Sequence, residues 1–152
     1  MRFLVSCPFG LSNILGKELK YLGLTPDHTF ETGIYTNGTF SDMIQINLWS
    51  RIANKVYLEL AYGTCTDFDQ LFALTQSIDR EQYLQEGQAV VVQVTTKNSQ
   101  LDSTRTIQSI TNKAIYKQVS PNKNWEIDEQ ITPLEVFVLL ENNQVSLFLN
   151  SS

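Results

Sequence analysis

Two apolar runs near the end of the chain, Val136 to Leu140 and Val145 to Leu149, are separated only by Glu141-Asn142-Asn143-Gln144. Asparagine tolerates the left-handed turn conformation, so the two runs are predicted to pair as a hairpin closed by asparagines. A lone hairpin is marginal in water and needs more sheet and a covering layer. The sequence supplies both. Ala89-Val90-Val91-Val92-Gln93-Val94 reads as a strand buried on at least one face, and Ser103 to Val119 carries Ile107, Ile110 and Ala114 at helical spacing. The second half therefore reads as an α/β sandwich, of α+β class.

The first half alternates short strands with helices. Phe3 and Val5 alternate with Leu4 and Ser6 as a strand, and Pro8 falls where a first helical turn tolerates a missing N–H. Leu11, Ile14, Leu15, Leu19 and Leu22 then form one apolar stripe that Gly23 can terminate. Thr29 to Phe40 reads as short strands and a turn, Ser41 as the cap of a helix through about Ala53, and Lys55 to Thr64 as a strand. Asp67 to Ile78 returns to helical spacing through Phe68, Leu71, Phe72 and Thr75. Pro121 and the polar residues Asn122 to Asp128 form a loop around Trp125. With 152 residues, 42% of them hydrophobic, the chain is long enough to bury a core without disulfides.

The formal charge of −5, from 11 Lys and Arg against 16 Asp and Glu, excludes a protein that coats nucleic acid or an anionic membrane by bulk charge. The charge is unevenly placed. Lys97, Arg105, Lys113, Lys117 and Lys123 face only Asp102, so residues 97–123 carry +4 and the remainder −9. On a helical wheel Arg105, Ser109, Asn112 and Tyr116 fall opposite the apolar stripe, with Lys113 and Lys117 at the edge. Ser103 or Thr104 as cap leaves free N–H groups beside Lys97, Asn98 and Ser99, an arrangement suited to a phosphate. Spacing and charge alone favour the plainer reading, a solvated helix face, and leave the phosphate-binding surface as the alternative.

Other chemistry is weakly signalled. His28 has no ligand-spaced partner beyond Asp27 and reads as an exposed loop residue. Cys7 and Cys65 form no CxxC, so neither a zinc site nor a disulfide framework is indicated and a cytoplasmic setting is expected. No GxGxxG or GxxxxGK[ST] occurs. Asp67 and Asp69 suit a helix start better than a catalytic pair, and Trp49, Tyr57 and Trp125 suit a core as readily as base stacking. No signal peptide or spanning segment is read, and no metal or membrane partner is expected.

Ordered blocks of sequence resemble a known family. Cys7-Pro8-Phe9-Gly10-Leu11 with Leu15 and Glu18-Leu19, then Asn47-Leu48-Trp49-Ser50-Arg51-Ile52-Ala53 before Val56-Tyr57-Leu58, are similar to the opening of THUMP-containing RNA methyltransferases. Those enzymes methylate guanosine N2 in 23S rRNA or tRNA. Gln108-Ser109-Ile110 with Lys113-Ala114-Ile115, and the closing run Val145 to Ser151, resemble later blocks of the same family. The resemblance implies a ferredoxin-like subdomain over residues 1–42 packed on a THUMP domain over 43–152, with a strand near 55–64 that they could share. It implies a non-catalytic module binding rRNA or tRNA through Lys97, Asn98, Ser99, Arg105, Ser109, Lys113 and Lys117. The S-adenosylmethionine of the family then belongs to a catalytic domain absent from this chain. Two rivals stand beside this: a protein-interaction domain without RNA binding that uses the Trp125 loop, and a self-contained enzyme, for which no nucleophile, base or cofactor motif is found.

Overall fold

A computed structural model describes residues 1–78, 84–85, 87–119 and 129–151, with the side chains of 116–119 outside that description. The expected loop around Trp125, with Pro121 and Lys123, also lies outside the described residues. The chain divides into two compact units, Met1–Glu59 with Asn150–Ser152, and Leu60–Leu149.

The first unit contains β1 (Arg2–Ser6), α1 (Ser12–Tyr21), β2 (Pro26–Phe30), β3 (Gly33–Asn37), α2 (Phe40–Trp49) and the beginning of β4 (Lys55–Thr64). Its strands run in the order β2-β3-β1-β4, and β1 pairs antiparallel with both β3 and β4. Strand alternation places Phe3, Val5, Ile34, Val56 and Leu58 on one face. There they are buried with Leu15 and Leu19 of α1 and Met43 and Ile46 of α2. At Gly33 the spacing is tight: a Cβ there would stand 2.8 Å from the Val5 carbonyl oxygen. That oxygen belongs to the backbone of the central strand β1 and cannot swing away. Gly33→Ala is therefore expected to destabilise the chain by about 1–3 kcal/mol in urea unfolding, and an unchanged midpoint would contradict this packing.

Local hydrogen bonding corrects two helix boundaries. The first helix starts at Ser12, not at Pro8. Gly10 has φ +83°, and the Leu11 N–H donates to the Pro8 carbonyl at 3.1 Å, so this stretch is a turn. Gly23 ends the helix as expected, with φ +87°. The cap of α2 is Thr39, not Ser41: Thr39 Oγ1 accepts from Asp42 N–H at 3.2 Å, and Asp42 Oδ2 accepts from Thr39 N–H at 2.8 Å. This helix ends at Trp49, short of Ala53, because Ser50 is extended. Ser50 Oγ accepts from Ala53 N–H at 3.0 Å and donates to Glu18 Oε2 at 2.6 Å. Glu18 Oε1 takes the Arg51 N–H at 3.2 Å, so the carboxylate of α1 fastens the exit of α2.

The second unit holds the rest of β4, α3 (Phe68–Gln76), β5 (Val90–Lys97), α4 (Thr104–Val119), β6 (Leu134–Glu141) and most of β7 (Gln144–Asn150). Its strands follow the order β4-β7-β6-β5, with β5 parallel to β6 and β6 antiparallel to β7. The predicted strand through Val92 thus joins one sheet with the hairpin strands. Glu141 pairs with Gln144, and Asn142 and Asn143 have φ of 53° and 60°, the two left-handed positions of a type I′ turn. Asp67 caps α3, its Oδ1 accepting from Gln70 N–H at 2.8 Å. The core gathers Leu71, Val92, Ile107, Val138, Leu140 and Leu147, so α3 and α4 share one apolar interior with the sheet.

Candidate nucleic-acid interface

Strand β5 ends at Lys97, and Asn98 turns the chain with φ 49°. Beyond Asn98 the chain is bracketed to the hairpin turn. Asn98 Nδ2 donates to Asn142 Oδ1 at 2.6 Å, Ser99 Oγ accepts from Asn143 N–H at 3.0 Å, and Asn143 Oδ1 accepts from Gln100 N–H at 2.8 Å. Ser99 Oγ also donates to the Lys97 carbonyl at 3.1 Å, and that carbonyl accepts from Asn142 N–H at 3.2 Å. The side chains of Asn98 and Ser99 thus brace the β5–α4 loop against the β6–β7 turn. Lys97 is exposed at this corner, in register with Glu141.

Helix α4 starts at Thr104, with Ser103, one of its two expected caps, capping it. Ser103 Oγ accepts from Thr106 N–H at 3.4 Å, and no acidic residue occupies the first turn. The inner face carries Ile107, Ala114 and Ile115, all buried, and half-buried Ile110. Gln108 Nε2 ties the helix to β5 by donating to the Val92 carbonyl at 2.6 Å.

The inner face is wider than the wheel of apolar residues. Thr111 is fully buried, its hydroxyl donating to the Ile107 carbonyl at 2.8 Å. Asn112, expected on the open face, is half-buried with an enclosed Oδ1 that has no partner among the described residues.

Arg105, Ser109 and Lys113 are exposed and succeed one another at i, i+4 along the outer face. Lys117 is the next residue in that series, and its side chain, like that of Tyr116, lies outside the described residues. Among the described residues no carboxylate lies within ion-pair distance of Lys97, Arg105 or Lys113, since both salt bridges there belong to Arg2. The ridge is a row of solvated donors on a helix fixed by its opposite face.

The remaining groups are placed for structure. His28 is exposed in β2 rather than in a loop, its ring 6.2 Å from that of Phe30 and 6.4 Å from that of Tyr35. Burial pushes the Cys7 thiol up, and burial followed by the nearby Asp67 pushes that of Cys65 up, which disfavours both thiolates. Among the described residues no three His, Cys, Asp or Glu side chains gather into a metal site, and no helix is long and apolar enough to cross a membrane.

Residues 2–57 match the RlmL ferredoxin-like domain, and residues 65–150 match the THUMP domain. A ribosomal RNA large subunit methyltransferase K/L from Marinobacter nauticus is 29% identical over 103 residues, which are 68% of this chain and 14% of that protein. This chain therefore spans only a small part of the curated relatives it matches. Among solved structures, one described as a "predicted N6-adenine-specific DNA methylase" from Listeria monocytogenes is 27% identical, with a TM-score of 0.87 over 98% of this chain and 40% of that one. A 4-thiouridine synthetase in complex with RNA and ATP shares the fold at 13% identity, with a TM-score of 0.63 over 97% of this chain and 40% of that one. The THUMP match alone covers more than half of the 152 residues, and with the ferredoxin-like match before it the chain belongs to the THUMP domain family.

Proposed function

We propose that this chain is an RNA-holding module that positions rRNA or tRNA for methylation by a separate S-adenosylmethionine-dependent domain. One observation carries the reading: the exposed i, i+4 ridge of Arg105, Ser109 and Lys113, without carboxylate partners among the described residues and backed by a buried face. Lys97 extends it from the corner of β5, and Lys117 from the next turn of α4. Asn98 and Ser99 hold the corner in shape, and the first-turn N–H groups of α4 that Ser103 does not cap offer further donors beside it.

RNA held in this way is recognised through its backbone and shape, because phosphate contacts fix position without reading sequence. Methyl transfer itself is assigned to the separate domain.

Lys113→Glu tests the surface with one side chain. It exchanges one positive for one negative charge at an exposed site, worth roughly 1–2 kcal/mol against a phosphate in water at about 5 Å. Affinity for labelled tRNA or a 23S rRNA hairpin, read by fluorescence anisotropy, is expected to fall by about tenfold. Unchanged affinity would remove α4 from the interface.

A further inference from the structure

Of the eleven large hydrophobic side chains exposed among the described residues, nine belong to the first unit. The densest group lies on α2. Phe40, Ile44 and Leu48 recur at i, i+4, i+8 on its outer side, 43–71% exposed, and Trp49 beside them is 71% exposed. Met43 and Ile46 occupy the core side of the same helix, so the outer stripe is a second apolar face, open among the described residues. Next to it a cleft of about 650 Å³ opens between α1 and α2, lined by Ile14, Tyr21, Gln45 and Trp49, with Lys17 at its side.

We propose that this face binds a second copy of the chain, α2 against α2, about a two-fold axis near Ile44. Three features favour that occupant. First, the stripe is symmetric about its centre: an antiparallel partner sets Phe40 of each copy opposite Leu48 of the other and delivers Phe40 toward the cleft beside Trp49. Isologous contacts need this self-complementarity. Second, the α2 stripe itself carries no charge that would repel its own image. The one charged residue of α2, Asp42, is held in the cap by the N–H and hydroxyl of Thr39 at 2.8 and 3.1 Å. An RNA backbone would find no cation on α2.

Third, the area suffices. Three aromatic side chains of roughly 150–250 Å² each, exposed by 57–90%, combine with the exposed parts of Ile14, Ile44 and Leu48. The total is on the order of the 800 Å² that one partner gives to a standard interface. A monomer rarely leaves a patch of this size uncovered.

The test is sedimentation velocity on the full 152-residue chain across about 1–200 μM, the weak end of what such an interface supports. The mass is expected to rise with concentration from 17.3 kDa toward twice that value. Ile44→Asp and Leu48→Asp should each hold it at the lower mass at every concentration, with unchanged circular dichroism. Oxidised Ile44→Cys should form a covalent dimer, because the axis brings that position against its own image; this arm also reads the geometry if an Asp variant fails to fold. A wild-type chain that stays at 17.3 kDa throughout would overturn the proposal and leave the stripe to a different protein. A dimer that survives both Asp substitutions, or that Ile44→Cys fails to trap, would overturn it equally. RNA affinity bears on neither outcome, so this proposal and the RNA reading fail separately.

Discussion

Ile107→Asp is expected to unfold the second unit. Ile107 is fully buried on the inner face of α4, in the same core as Leu71, Val92, Val138 and Leu147. Aspartate there loses the packing of a large aliphatic group and places a carboxylate in a hydrophobic core. Removing the aliphatic contacts alone costs about 2–5 kcal/mol, and an unpaired buried charge costs several more unless the group takes up a proton. Against the roughly 5–15 kcal/mol that holds a domain folded, this is most of the total. Urea unfolding should therefore show the second unit largely unfolded at zero denaturant. Ser109→Asp, two residues along the same helix but exposed, should change stability by no more than about 0.5 kcal/mol. A folded Ile107→Asp chain, or equal losses in the two variants, would mean that α4 presents a different face to the sheet.

Helix orientation was legible because it is written in periodicity. Ile107, Ile110 and Ala114 fall on one side of the wheel, so Arg105 and Ser109 had to point away, with Lys113 at the edge of that face. The hairpin was legible for a local reason as well, since two adjacent asparagines between apolar runs leave few other turns. Polar residues that satisfy themselves were harder to place. Thr111 returns its hydroxyl to the Ile107 carbonyl and so enters the core, where an apolar wheel counts it as surface.

The helix starts were misplaced by residues with two uses. Pro8 suits a first helical turn but here precedes a glycine turn, and Ser41 stands two residues after the true cap. The Thr39-x-x-Asp42 pair carried that signal. The bracing role of Asn98 and Ser99 had no sequence signature, because their partners Asn142 and Asn143 are 44 residues away. Residues of that kind look like free donors until the fold brings two turns together.

The largest functional effect should come from removing the ridge as a whole. Replacing Lys97, Arg105, Lys113 and Lys117 by Ala takes four of the five cations from the +4 segment, leaving that segment neutral and the remainder at −9. No other stretch of the sequence concentrates basic residues in this way, so the acidic remainder would then repel a polyanion. Binding to structured RNA should fall below detection at low salt. Replacing Lys55, exposed at the start of β4, should leave affinity within about twofold.

The salt dependence of wild-type RNA binding counts the phosphate contacts of the ridge without any substitution. Each contact contributes roughly 0.7–0.9 to the slope of log K against log salt. Four contacts from Lys97, Arg105, Lys113 and Lys117 predict a slope of about −3 for the intact chain, reduced by nearly one with each residue removed. A slope near zero, or one that none of these four substitutions alters, would contradict the account and leave the ridge of α4 as a solvated helix face.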